Sequence, residues 1–114
     1  MDAEPETLLT VLGNKYNARI LQATHEPKSA QELSEELDIP IATSYRRIEE
    51  LTELDLLGLE NRELSDEGRR TRVYRRTVDA VNIEFGVEEA VVTVQERTAA
   101  KNALADMWAD LGGD

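Results

Sequence analysis

The stretch from Ser29 to Ile48 constrains the chain most, because its punctuation leaves room for only one local structure. Ser29 is a strong N-cap residue, and Glu32 three positions on completes a capping box. Ala30, Leu33 and Leu37 then recur at helical spacing, and the pattern stops at Asp38-Ile39-Pro40. A proline suits a first helical position, so a second helix is expected from about Pro40 to Leu54, with Ile41, Ser44, Ile48 and Leu51 at helical intervals. Two short amphipathic helices joined by a three-residue turn carry apolar stripes that need a further element to pack against.

That element is expected upstream. Leu8, Leu9, Val11 and Leu12 run to Gly13-Asn14, and Tyr16, Ala18, Ile20, Leu21 and Ala23 follow at helical spacing until Pro27, giving helices over about 6–12 and 14–25. Beyond Leu56 the period changes. Leu57, Leu59 and Leu64 flank polar residues, Ser65-Asp66-Glu67-Gly68 marks a turn, and Thr71, Val73, Tyr74, Thr77 and Val78 have strand propensity, which predicts a β-hairpin. A second hairpin is expected where Val81, Ile83 and Phe85 alternate, turn near Gly86, and return as Ala90–Val94. The spacing of Val87, Ala90, Val91 and Val94 also fits a helix, and the β-branched run favours strand. Thr98 can cap a last helix to about Leu111, with Leu104, Met107, Trp108 and Leu111 on one face and Gly112-Gly113 ending it.

Helix, helix, helix, tight turn, helix, β-hairpin is the element order of a winged helix. The expected class is therefore α+β, mainly α: a winged helix-turn-helix over 1–78, with the second hairpin and a C-terminal helix over 79–114 belonging to the same domain. At 114 residues the chain is long enough for one modest core. Zero cysteines and a lone His25 exclude disulfides, thiolate metal sites and a nucleophile–base pairing, so neither metal, cofactor nor enzymatic activity is expected. His25, at a helix end, reads as a surface or C-cap residue. No apolar run is long enough to span a bilayer and the acidic N-terminus is unlike a secretory signal, which suggests a cytoplasmic protein.

The formal net charge of −11 argues against a polyanionic partner until its distribution is read. Residues 46–76 hold eight of the ten arginines and eight acids, and so are neutral; the excess acid lies entirely on either side. That segment has no lysine, and guanidinium is the better group for phosphates and guanine edges.

Leu12-Gly13-Asn14 followed by Ala18-Arg19-Ile20-Leu21, the two crossing helices, and Leu54-Asp55-Leu56-Leu57 resemble the ArsR-like winged helix-turn-helix regulators of archaea, over residues 7–78. The acidic surface and only three lysines resemble proteins of salt-accumulating archaea; an ordinary acidic bacterial protein is the alternative. The resemblance implies a transcriptional regulator of double-stranded DNA. Asp38 stands where such turns often carry Gly, which Asp tolerates. Ser44 stands where Val or Ile is usual, which should weaken a core contact. The cysteines of metal-sensing members are absent.

If Ile39, Ser44, Ile48 and Leu51 face the core, Ile41, Ala42, Tyr45 and Arg46 face outward, where Arg46 could read guanine and Ile41 and Ala42 could touch thymine methyls. Thr43 and Arg47 flank this face. Ser29 at the preceding helix start, and Arg69, Arg70 and Arg72 on the wing, complete the candidate DNA set, the wing reaching phosphates or the minor groove. The alternative pairs Arg46 and Arg47 with Glu49 and Glu50, and the wing arginines, Arg75 and Arg76 among them, with Glu60, Glu63, Asp66 and Glu67. Because readers of palindromic DNA are usually two-fold dimers, Leu8, Leu9 and Leu12 with Leu104, Met107, Trp108 and Leu111 form the expected homodimer interface. A winged helix used as a protein-interaction module is the competing function; no pocket for an effector stands out.

Overall fold

A computed structural model describes residues 4–64 and 69–97, with side chains for 4–61 and 71–97. Four helices come first: α1 (Pro5–Leu12), α2 (Asn17–Ala23), α3 (Ala30–Leu37) and α4 (Ile41–Glu53). Two antiparallel hairpins follow, β1 (Leu57–Leu64) with β2 (Arg69–Arg76), and β3 (Val78–Phe85) with β4 (Ala90–Glu96). This is the α+β architecture of a winged helix-turn-helix with a second hairpin. The C-terminal helix expected over 98–111 and the turn at 65–68 lie outside the described residues.

Helix α2 is shorter than its apolar pattern suggested. The Asn14 side chain accepts the Tyr16 backbone N–H at 2.9 Å, holding residues 14–16 as a turn, so the helix starts at Asn17. At the other end the Thr24 hydroxyl donates to the Ile20 carbonyl at 2.7 Å, and Thr24 closes the helix. Gly13 separates α1 from α2 for a steric reason: its N–H bonds Leu9 O at 2.9 Å, and a Cβ there would meet that same oxygen at 2.9 Å.

The capping box at Ser29 forms in full, its hydroxyl accepting the Glu32 N–H at 3.0 Å while Glu32 Oε1 accepts the Ser29 N–H at 2.9 Å. The α3–α4 turn takes its shape from Asp38, which adopts the left-handed conformation (φ 55°, ψ 54°) as its side chain permits. Pro40 is the N-cap of α4 rather than its first residue.

Leu8, Ile20, Leu33, Leu51 and Leu56 are fully buried and form one core with Ile39, Ile48, Leu57 and Val78. Ser44 is equally buried. Its hydroxyl donates to the Ala30 carbonyl at 2.8 Å, so the residue expected to weaken the helix crossing ties α4 to α3 instead. Asn17, fully buried, donates through Nδ2 to Val11 O and to Glu50 Oε1, both at 2.7 Å, joining α1, α2 and α4.

The wing is stitched to the helices by backbone. Lys28 and Tyr74 exchange hydrogen bonds at 3.0 and 2.8 Å as an isolated antiparallel bridge, and Arg76 N–H reaches Thr24 O at 3.0 Å, so the segment before α3 is tied to β2. The second hairpin lays Val81, Ile83, Val92 and Val94, paired across the strands, half-buried against the core. Gly86 closes its turn, its N–H bonding Glu89 O at 3.0 Å where a Cβ would stand 2.7 Å from that oxygen.

Candidate nucleic-acid interface

Helix α4 divides as its periodicity requires. Ser44, Ile48 and Leu51 point inward, and Ile41, Ala42, Tyr45 and Arg46 are exposed, Ile41 at 44 % and Tyr45 at 59 %. Thr43 is half-buried at the margin.

The arginines separate by environment. Arg46 is exposed and makes no ion pair or hydrogen bond among the described residues. Arg47 is half-buried and lies 3.5 Å from Glu50, the carboxylate that also accepts from Asn17, so of the expected Arg–Glu pairings on α4 only this one forms. On β2, Arg72 is exposed and without a described partner, whereas Arg75 lies 3.9 Å from Glu60 across the hairpin. Arg76 donates to Leu21 O and Asp79, each at 3.2 Å, and is a structural residue of the wing's base. Arg69 and Arg70 belong to β2, opposite Leu64 and Glu63. Lys28 is held by Glu36 at 2.9 Å, and this hydrogen bond keeps its ammonium above the usual pKa.

Wing and helix converge on two clefts. One, of about 360 Å³, is lined by Ser29, Gln31, Tyr45, Thr71, Arg72 and Tyr74; among the described residues arginine is its only charged lining residue. The other, of about 410 Å³, shares Tyr45, Arg72 and Tyr74 but adds Glu49 and Glu53. Among the described lining residues the first cleft thus carries a net positive charge and the second a net negative one. Gln31 and Thr71 in the first cleft carried no signal in the sequence, since each is an ordinary polar residue until β2 is brought beside α3. Ser29 reaches the cleft at 8 % exposure, with its hydroxyl engaged in the capping box.

Residues 12–60 match a family model described as a helix-turn-helix domain. The match runs from the end of α1 through α4 into β1 and so spans α3 and α4, and it supports a DNA-binding regulator. No curated protein shows significant similarity to the chain. Among the described residues no group of acidic, histidine or cysteine side chains could hold a metal, and no helix is long and apolar enough to cross a membrane.

Of the residues expected at a dimer interface, Leu8 is fully buried in the chain's own core and has no surface to offer a partner. Leu9 is 47 % exposed, and Leu12 is half-buried beside β3. Leu104, Met107, Trp108 and Leu111 lie outside the described residues.

Proposed function

We propose that this protein is a sequence-specific, double-stranded DNA-binding transcriptional regulator that works as a homodimer. The reading rests on one observation: the outward face of α4 and the adjoining wing strand present Arg46 and Arg72 free of described acidic partners, while Arg47, Arg75 and Arg76 are engaged within the chain. An interaction module has no need to leave these two guanidiniums unpaired in a chain with such an excess of acid.

In this reading α4 enters the major groove with Arg46 as base reader and Ile41, Ala42 and Tyr45 against base edges. A phosphate sits on Arg72, Thr71 and Gln31 in the cleft that has no acid among its described lining residues, and Arg69 and Arg70 extend the wing along the backbone or minor groove. Two copies meet through α1, where Leu9 is exposed. The acidic composition suits a salt-loaded cell of the archaeal kind.

The test is fluorescence anisotropy in molar potassium chloride on DNA from around the protein's own gene. Arg46→Ala should lower affinity for the preferred site by about 1–3 kcal/mol, roughly 5- to 150-fold, and flatten discrimination at one base pair. Arg47→Ala should weaken binding far less. Absence of binding at any salt, or equal losses in both variants, would refute the assignment.

A further inference from the structure

We propose that the outer edge of β4 pairs with β4 of a second copy, joining two β3–β4 hairpins into one antiparallel sheet across a two-fold axis at Thr93. This rests on the homodimer reading above and names its contact surface. The hairpin has only two strands, and its ladder leaves one side of β4 open. The bonds from Gly86 N–H to Glu89 O and from Arg97 N–H to Thr77 O set the phase of that ladder, so Val91, Thr93 and Gln95 turn their backbone groups to β3. Ala90, Val92 and Val94 turn theirs outward, where they meet no hydrogen-bond partner among the described residues.

Edge strands are ordinarily guarded by charges, prolines or bulges. Strand β3 carries Asp79 and Glu84 and a register shift between Val78 and Ala80. Strand β4 has neither charge nor proline from Ala90 to Gln95, in a chain with 32 % charged residues, and Val91 is 47 % exposed. Such an unguarded edge is a template for another strand.

The occupant follows from charge complementarity. Antiparallel pairing about Thr93 sets Thr93 against itself, Val92 against the second copy's Val94, and Glu89 against the second copy's Arg97. Cross-strand pairs of threonines, of β-branched residues and of opposite charges are each stabilising. Glu89 is exposed and Arg97 half-buried; neither has an ion pair among the described residues, and the Arg97 Nε is buried without a partner. Only even shifts keep the outward backbone groups opposite one another. Sliding by two residues brings Glu88 beside Glu96 in one direction and leaves Arg97 opposite Val91 in the other, so the charges select the register. The axis also leaves both core-facing surfaces on one side of the joint sheet. Helix α1, which lies against β4, therefore shares that side with its copy, and Leu9 is exposed there for further contact.

Light scattering on the full-length protein should first give the mass of a dimer at micromolar concentration. In the proposed register Thr93 forms a non-hydrogen-bonded pair, whose Cα atoms lie about 4.5 Å apart, within the span of a disulfide. The chain has no cysteine, so Thr93→Cys supplies the sole thiol, at an exposed position. On mild oxidation it should run as a covalent dimer on a non-reducing gel. Gln95→Cys alone and Val91→Cys alone, each about 14 Å from its own copy, should not, whereas the two mixed should crosslink. Glu89→Arg and Arg97→Glu should each raise the dissociation constant several-fold, and the double variant should restore it, at the lowest salt that retains the far-ultraviolet dichroism. A dimeric wild type whose Thr93→Cys protein crosslinks no faster than Gln95→Cys would overturn the β4 interface and leave the dimer reading standing. Charge variants without effect would overturn the register, and with it the proposal. A monomeric wild type would overturn both the interface and the dimer. None of these readouts depends on DNA binding.

Discussion

Replacing Asn17 by alanine should be among the most damaging single changes outside the apolar core. Its Nδ2 makes two short hydrogen bonds from a fully buried position, one to a backbone carbonyl and one to a carboxylate. The neutral bond contributes about 1 kcal/mol and the charge-assisted one about 1.5 kcal/mol, the low end of its range because Glu50 keeps 35 % of its side chain in solvent. No acceptor is orphaned: Val11 O retains the Asn14 N–H at 3.2 Å, and Glu50 retains Arg47. The loss is therefore about 2–3 kcal/mol, a large share of the roughly 5–15 kcal/mol by which a domain is stable. Urea denaturation followed by circular dichroism should show a lower midpoint at unchanged slope. Asn17→Asp, nearly isosteric, should be worse than alanine, because it turns a buried carboxylate toward Glu50 and the Val11 carbonyl. A midpoint shift worth under about 0.5 kcal/mol for alanine, or an aspartate variant as stable as the alanine one, would refute this account of the junction.

Ser44→Ala should cost about 1 kcal/mol through the lost bond to Ala30 O, measured in the same titration. Asp38→Val should cost about 1–2 kcal/mol because a β-branched side chain resists the left-handed backbone, whereas Asp38→Gly should be close to neutral; thermal melting of the pair checks both. If acids beside the proposed DNA-contact surface hold cations near the bound phosphates, cation uptake offsets counterion release. A plot of log affinity against log salt should accordingly fall less steeply than about −0.9 per phosphate contacted, and the full slope would remove the idea.

The helices were legible because their boundaries are chemical: a capping box at Ser29 and Glu32, a left-handed turn at Asp38, and Gly13 pressed against Leu9 O. The second hairpin was legible only through the β-branched run, since Val87, Ala90, Val91 and Val94 satisfy a helical period as well. What escaped was every feature made by long-range approach. An asparagine at a helix start and a serine in an apolar stripe look like local defects until Glu50 and Ala30 arrive beside them. The sorting of the arginines was likewise open, because a sequence rich in both Arg and Glu does not say which pairs meet. Arg46 and Arg47 are neighbours, yet one helical step puts the second against Glu50 and leaves the first in water.

The two backbone bonds between Lys28 and Tyr74, with the third from Arg76 to Thr24, have a geometric consequence. A wing joined only through its chain connections to α4 and β3 would be a hinged arm, able to swing until it met a duplex of any pitch. Fastened to the segment that leads into α3, it moves with α3 and α4 as one caliper whose jaws are set before contact. In the proposed DNA complex such a caliper would measure the rise from the base step under Arg46 to the backbone under Arg72, and a base pair inserted between those points would have to be absorbed by bending the DNA.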